Sequence, residues 1–292
     1  MSRFCSPLRY PGGKNCIYNF VSEFFYENDL IGIDYAEPYA GGSGLALRLL
    51  FNEFVNEIHI NDLDPAIHAF WKGVLNNPVE LCDWIEDVQI DMENWFRYRG
   101  VHSLRNTEIE YLELAKATFF LNRTNVSGVL KGGVIGGAQQ TGKYKMTARF
   151  NREELIQRIL RISKFKSRIN LTNLDGIRFI RKMNRSKENV FIYLDPPYFG
   201  KGADLYMNFY KDKDHLALAK EVAKINKKWM VSYDNHDFIV NLYENQNRIQ
   251  YQLSQCASNR TGDEILIFKQ ELSFQSAMEK LNSPKIMESI YH

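Results

Sequence analysis

Apolar positions along this chain fall into short runs parted by polar, glycine- or proline-bearing turns, and the runs switch between strand and helix periods. Ile31 to Glu37 is an apolar-rich stretch ending in a glycine cluster, and the apolar-periodic Leu45 to Phe51 follows; together they predict strand, tight turn and helix. Glu57 to Asn61 predicts a second strand that leads through Asp62 and Pro65 into another helical run. Ser167 to Leu174, Val190 to Leu194 and Lys228 to Tyr233 each predict a strand, with amphipathic helices such as Asn151 to Lys164 and Asp212 to Lys224 around them. Strands alternating with helices predict an α/β fold on a mainly parallel sheet. Ile249 to Cys256 and Glu264 to Lys269, joined through Asn259, Arg260, Thr261 and Gly262, predict a closing antiparallel hairpin, so the sheet is expected to be mixed at one edge.

Between the second strand and the helix at Asn151 the pattern changes. A helical stretch from Asn77 to about Leu121 gives way to a glycine-rich segment without strand alternation. The expected division is a core of residues 1–77 and 151–292 around an insert of residues 78–150. Composition alters this picture little: 45% hydrophobic residues over 292 positions can fill one large core, and 37 basic against 35 acidic residues leave a formal charge of only +2. The distribution is what matters. From Leu114 to Arg152 there is no Asp or Glu, while Lys116, Arg123, Lys131, Lys143, Lys145, Arg149 and Arg152 are positive. Gly128, Gly132, Gly133, Gly136, Gly137 and Gly142 keep that backbone adaptable, and Asn122, Asn125, Gln139 and Gln140 carry base-edge hydrogen-bonding groups.

The remaining composition excludes classes. Cys5, Cys16, Cys82 and Cys256 form no C-x-x-C pair, which speaks against a disulfide framework or a cysteine zinc site and fits a reducing cytosol. The six histidines show no i, i+4 pair beside a carboxylate, so no metal is expected. There is no long apolar N-terminal region of the signal-peptide kind, and no apolar run approaches the ~18 residues a membrane span needs, so a soluble, cytoplasmic protein without a membrane partner is expected.

Two motifs carry chemistry. In the run from Asp34 to Gly44, Glu37 closes a strand and Gly41, Gly42 and Gly44 open the next helix, where backbone can approach a ligand closely. Asp62 lies 18 residues past Gly44, near the spacing at which a carboxylate at the tip of the second strand reaches a ribose hydroxyl pair. A dinucleotide fingerprint fails, because Leu47 stands where its third glycine belongs. The second motif is Val190 to Tyr198, an apolar strand that runs into Asp195-Pro196-Pro197-Tyr198. Proline has no N–H and a fixed φ, so Asp195 and the Pro196 carbonyl are held at the carboxyl end of the strand. A purine amino nitrogen delocalises its lone pair into the ring; two acceptors on its hydrogens redirect that pair towards a sulfonium methyl. Asp195 and the Pro196 carbonyl suit that role, and Tyr198 suits stacking on the base.

In these motifs and their order the chain resembles the Dam-type family of DNA N6-adenine methyltransferases. Leu8-Arg9-Tyr10-Pro11-Gly12-Gly13-Lys14 resembles the family's N-terminal cofactor motif, which implies Tyr10 and Lys14 against S-adenosylmethionine. The run from Glu37 through Ala40, Gly41 and Gly42 to Gly44 resembles the glycine motif, Asn61-Asp62 the ribose-binding acid, and Asp195 to Tyr198 the catalytic motif. Asn173-Leu174-Asp175 is similar to the segment whose acid, here Asp175, meets the cofactor adenine. Phe120-Leu121-Asn122-Arg123 resembles the entry to the target-recognition region, although the residues after Arg123 depart from members that read GATC. The resemblance implies a Rossmann-like S-adenosylmethionine-dependent methyltransferase fold with a helical target-recognition insert, acting as a monomer on double-stranded DNA, with a cognate restriction endonuclease as a further partner. Arg9, Asn122, Arg123, Lys131, Lys143 and Lys145 are the residues expected to meet DNA, with Arg123 as base reader or, alternatively, internal salt bridge. The rival functions are methylation of cytosine N4 or of RNA, since any planar amine suits the same acceptors, and non-catalytic nucleic-acid binding on a degenerate methyltransferase fold.

Overall fold

The computed structural model describes residues 5–200, 210–255 and 260–287. Eight strands form one sheet: Ile33–Glu37 (β1), Val55–Asn61 (β2), Ile169–Thr172 (β3), Val190–Leu194 (β4), Trp229–Asp234 (β5), Asn247–Gln255 (β6), Arg260–Phe268 (β7) and Lys285–Met287 (β8). Their order is β3-β2-β1-β4-β5-β7-β6-β8. The first five pair in parallel, and β7, β6 and β8 add on antiparallel, which is the mixed edge the sequence predicts. The central strand β4 is buried along its whole length, so it reads as a continuous apolar run and not as an alternation. Its pleat divides the core: Phe191 and Tyr193 pack on one face, while Ile192 and Leu194 pack on the other.

Helices cover both faces. Tyr18–Glu27 (α1), Gly44–Phe51 (α2) and Pro65–Asn76 (α3) build the larger cluster, into which Phe20, Phe24, Leu47 and Phe70 project. The predicted helical stretch after Asn77 is three helices, Pro78–Asp87 (α4), Met92–Ser103 (α5) and Tyr111–Thr124 (α6). Local chemistry sets the breaks: Pro78 stands at the start of α4, the Asp91 carboxylate accepts from the Asn94 N–H, and Glu110 accepts from the Glu113 N–H. α6 lies along α3, and residues on both sides of Asn77 share one hydrophobic cluster. Phe70 and Phe119 stack at 5.7 Å between ring centres, and a Cβ on Gly73 would come within 3.1 Å of the Ala115 methyl. Arg152–Ser163 (α7) then returns the chain to the sheet, followed by Gly176–Asn184 (α8), Asp212–Val222 (α9) and Asp237–Leu242 (α10).

Two details differ from expectation. Arg260, Thr261 and Gly262 belong to β7 and not to the hairpin turn, since pairing continues to Gln255 opposite Arg260; Asn259 and Cys256 lie outside the described residues. The short strand β8 at the exposed edge has too little apolar alternation to be read from sequence. No helix among the described residues is long and apolar enough to cross a membrane.

Candidate active site

Parallel register brings the carboxyl ends of four strands to one edge. Glu37 pairs with Ile60, Ala36 with Ile192 and Leu194 with Val231, so the residues that follow β1, β2, β4 and β5 are neighbours. Ligands bind at this edge in open α/β sheets. Asn61, fully buried, stitches it together: its amide donates to the Pro38 and Leu174 carbonyls, and its carbonyl accepts from Thr172 and the Leu174 N–H.

The glycine turn is held from several sides. Asp62 accepts from the Gly41 N–H at 2.8 Å and from the Asp64 N–H at 2.9 Å, one bond to each oxygen. Trp71 donates to the Gly41 carbonyl, and the Ala40 N–H to the Asn61 carbonyl. The Tyr10 side chain lies directly on the turn: a Cβ on Gly41, whose φ is 45°, would come within 2.6 Å of its ring, and one on Gly42 within 2.9 Å of its Cβ. Only glycine fits there. Glu37 points inward beneath the turn and accepts from the Tyr35 and Ser43 hydroxyls. Burial pushes the Glu37 carboxyl up to about 8, against the pull of those two donors. Burial, then the charge of Asp64, raises the Asp62 carboxyl to about 7. Asp175 is exposed and caps α8 through Oδ1, which accepts from the Ile177 and Arg178 N–H groups.

At the end of β4 the structure assembles a network that the motifs alone do not specify. Lys14, 4% exposed, donates to the Gly12 carbonyl at 2.8 Å, to Asp195 Oδ1 at 2.9 Å and to the Tyr198 hydroxyl at 2.5 Å. The Ser232 hydroxyl donates to the same Asp195 Oδ1 at 2.7 Å. Its proton being spent there, the hydroxyl of Tyr193, 2.8 Å away, must donate to Ser232. Tyr198 in turn donates to Glu264 Oε1 at 2.6 Å. Among the described residues nothing bonds Asp195 Oδ2. Burial raises the Asp195 carboxyl, and Lys14 and Ser232 pull it back. Pro196 is buried and Pro197 half-buried; beyond Tyr198 the backbone is pinned by Asp234, whose two oxygens accept from the Phe199 and Gly200 N–H groups.

Several expected residues are placed differently from the sequence reading. Lys14, expected against the cofactor, stands with Asp195 and Tyr198 instead. Tyr198 is turned inward and 6% exposed, so the face expected to stack on a base is covered in this structure. Arg123 is 9% exposed and donates to the Arg149 and Pro7 carbonyls, so the base-reader expectation is corrected: its guanidinium ties α6 to the N-terminal segment and to the stretch before α7. Among the described residues no salt bridge holds it either, and burial with the charges of Arg9 and Arg158 lowers it to about 9. Asn122 is equally internal, clamping Arg9 by both its backbone N–H and its carbonyl. Arg9 is half-buried on the Asn125 carbonyl, while Lys131, Lys143 and Lys145 are exposed.

Sequence reasoning missed Ser232, Asp234 and Glu264, because a lone polar residue in or beside a β-strand carries no motif. Strand pairing also brings together Asp34, Glu57 and His59, whose ligand atoms lie within 4.8 Å of one another; spacing along the chain gives no sign of that group.

Comparison with known proteins adds a family. A family model described as D12 class N6 adenine-specific DNA methyltransferase matches residues 10–254. No curated protein matches the chain. Among solved structures, the crystal structure of protein LPL1258 from Legionella pneumophila str. Philadelphia 1 is 12% identical and covers 94% of this chain and 96% of that one, with a TM-score of 0.36, too loose an overlap to bear on function.

Proposed function

This chain belongs to the D12 class of N6 adenine-specific DNA methyltransferases, and we propose that it methylates N6 of an adenine swung out of duplex DNA, with S-adenosylmethionine as the donor. One observation carries the reading. At the end of β4, Asp195 has one oxygen fixed by Lys14 and Ser232 and the other unbonded among the described residues, beside the glycine turn that Asp62 holds. An acceptor pinned on one side and open on the other is preorganised for an amino hydrogen.

The site's donor set fits the cofactor. Each Asp62 oxygen uses one lone pair inside the turn and keeps another for a ribose hydroxyl. Two carboxylates, Asp195 and Glu264, face the single ammonium of Lys14, and this negative balance suits the positive charge that N6 gains on methylation. When bound, S-adenosylmethionine supplies the electrophilic methyl group.

The protein's own part is orientation. Asp195 Oδ2 and the Pro196 carbonyl accept the two N6 hydrogens, which turns the nitrogen lone pair out of the ring plane. With the donor bound, N6 would form its bond to the methyl carbon as the carbon–sulfur bond broke and sulfur kept the electron pair, while Asp195 and Pro196 held the amine aimed. The amine, now cationic, releases one proton along its existing hydrogen bond to Asp195 Oδ2 and then to water, so no strong base is needed. Extrusion of the base costs a few kcal/mol, which contacts of the acid-free, basic run from Leu114 to Arg152 offset. The exposed Lys131, Lys143 and Lys145 are its phosphate contacts.

The test is transfer of radiolabel from the donor methyl to duplex DNA, followed by digestion to nucleosides. Label in N6-methyladenosine is expected; label in a cytosine, in RNA alone, or nowhere overturns the reading.

A further inference from the structure

Glu264 is 2% exposed, the most buried carboxylate among the described residues. It sits on β7, opposite Asp234 of β5 and Tyr251 of β6, and no motif singles it out. Both its oxygens accept: Oε1 from the Tyr198 hydroxyl and Oε2 from the Tyr251 hydroxyl, each at 2.6 Å, with the Lys14 ammonium 3.8 Å from Oε2. Two hydroxyl donors and an ammonium thus converge on one carboxyl group.

The direction of every bond can be followed. Lys14 gives a proton to the Tyr198 oxygen, so the phenol must point its own proton elsewhere, and Glu264 Oε1 receives it. Tyr198 is thereby locked as a relay between an ammonium and a carboxylate, and Lys14 is locked onto Asp195 Oδ1. A purely structural anchor for two tyrosines does not require a charge, since apolar packing of equal volume serves a core at least as well as a buried ion pair. The charge has a use in the reaction. Lys14 alone would neutralise Asp195 and weaken it as an acceptor; a second carboxylate answers Lys14 and leaves Asp195 its negative character.

We infer that Glu264 is a positioning residue for methyl transfer: it acts through Tyr198 and Lys14 to hold Asp195 as a charged, aimed acceptor of the N6 hydrogen, and it supplies the negative charge that complements the cationic amine. This rests on the reading of Asp195 under the proposed function. Glu264 touches no substrate atom. Its effect is therefore on the rate of transfer and not on donor binding, which the glycine turn and Asp62 carry.

Glu264→Gln keeps the volume and one acceptor but removes the charge. Single-turnover methylation of an adenine-containing duplex is expected to slow by about 10- to 100-fold. The dissociation constant of S-adenosylmethionine should stay within about threefold of the parent. In a Tyr198→Phe background, where the relay is already cut, the same change should cost less than about half that factor on a logarithmic scale. A Glu264→Gln enzyme that is folded and transfers within about twofold of the parent overturns the proposal, as does an equal loss with and without the Tyr198 hydroxyl, or a loss found wholly in donor affinity. If Glu264→Gln does not fold, Tyr198→Phe cuts the bond between Glu264 and Lys14's partner hydroxyl and leaves the Glu264 carboxylate in place. Slower transfer with unchanged donor affinity then supports the relay, and an unchanged rate overturns it. A parent protein that methylates no adenine sinks the reading of the site itself, whereas an active parent with an indifferent Glu264 sinks only this inference.

Discussion

Side chains of one type play opposite parts here according to how they are held. Asp195 and Asp62 both end strands and both are carboxylates, yet Asp195 is anchored by a lysine and a serine while Asp62 is anchored by backbone N–H groups. Asp195→Ala is therefore expected to abolish methylation with donor affinity preserved within a few-fold. Asp62→Ala should weaken donor binding by about 1–3 kcal/mol, the order of a charge-assisted hydrogen bond. Calorimetric titration beside initial rates separates the two, and equal loss of binding in both variants contradicts the division. Arg123 gives the second prediction at this scale. With its guanidinium on two backbone carbonyls, Arg123→Ala leaves buried acceptors unanswered and should destabilise the fold by about 1–3 kcal/mol per orphaned group. DNA affinity should then fall uniformly across sites. A variant with unchanged melting temperature that loses discrimination at one base pair would restore Arg123 as a reader.

At the scale of elements, the glycine turn and the acids around it behave as a unit with its own pH response. The ordinary value for Glu37 is 4.5 and burial raises it to about 8, so in the folded state it holds a proton that the unfolded chain has already lost. That contribution to stability is complete below the unfolded value and is lost as pH climbs through the folded one. Asp62, raised to about 7, adds in the same sense. The melting temperature is expected to fall between about pH 5 and pH 8, and Glu37→Gln should flatten the fall. Calorimetry across that range decides; an unaltered slope in the variant shows that Glu37 is not the titrating group. Donor binding runs the other way, because ribose hydroxyls favour the ionised Asp62, so affinity should rise as pH passes about 7.

For the whole molecule, the balance of charge is nearly even and the asymmetry is local. Lys131, Lys143 and Lys145, which follow α6, are exposed, whereas the ammonium of Lys14 is buried. Replacing Lys143 and Lys145 together by alanine is expected to weaken binding to all duplexes and to lower the slope of log affinity against log salt by about 2, one for each phosphate that no longer meets an ammonium. Fluorescence anisotropy at several salt concentrations measures it. A slope that does not change would mean these lysines face solvent in the complex.

What the sequence determines by itself is what local pattern encodes. The apolar run Val190 to Leu194, stopped by two prolines, sets a buried central strand and the place of Asp195; the glycines after Glu37 set a turn that side chains would obstruct. Near-neighbour sterics and periodicity suffice for these, and the parallel pairing of the first five strands follows from the helices that alternate with them. Tertiary structure decides what depends on distant partners. Lys14 and Glu264 are 250 positions apart in sequence (264 − 14), and only the closing of β7 against β5 carries Glu264 to the end of β4. Arg123 shows the same limit: a basic residue in a basic run gives no sign of its facing, and packing of α6 against the N-terminal segment turns it inward. Burial and hydrogen-bond partners are sums over the folded chain, and they alone fix whether a charged side chain serves as a reader, a brace or a counter-ion.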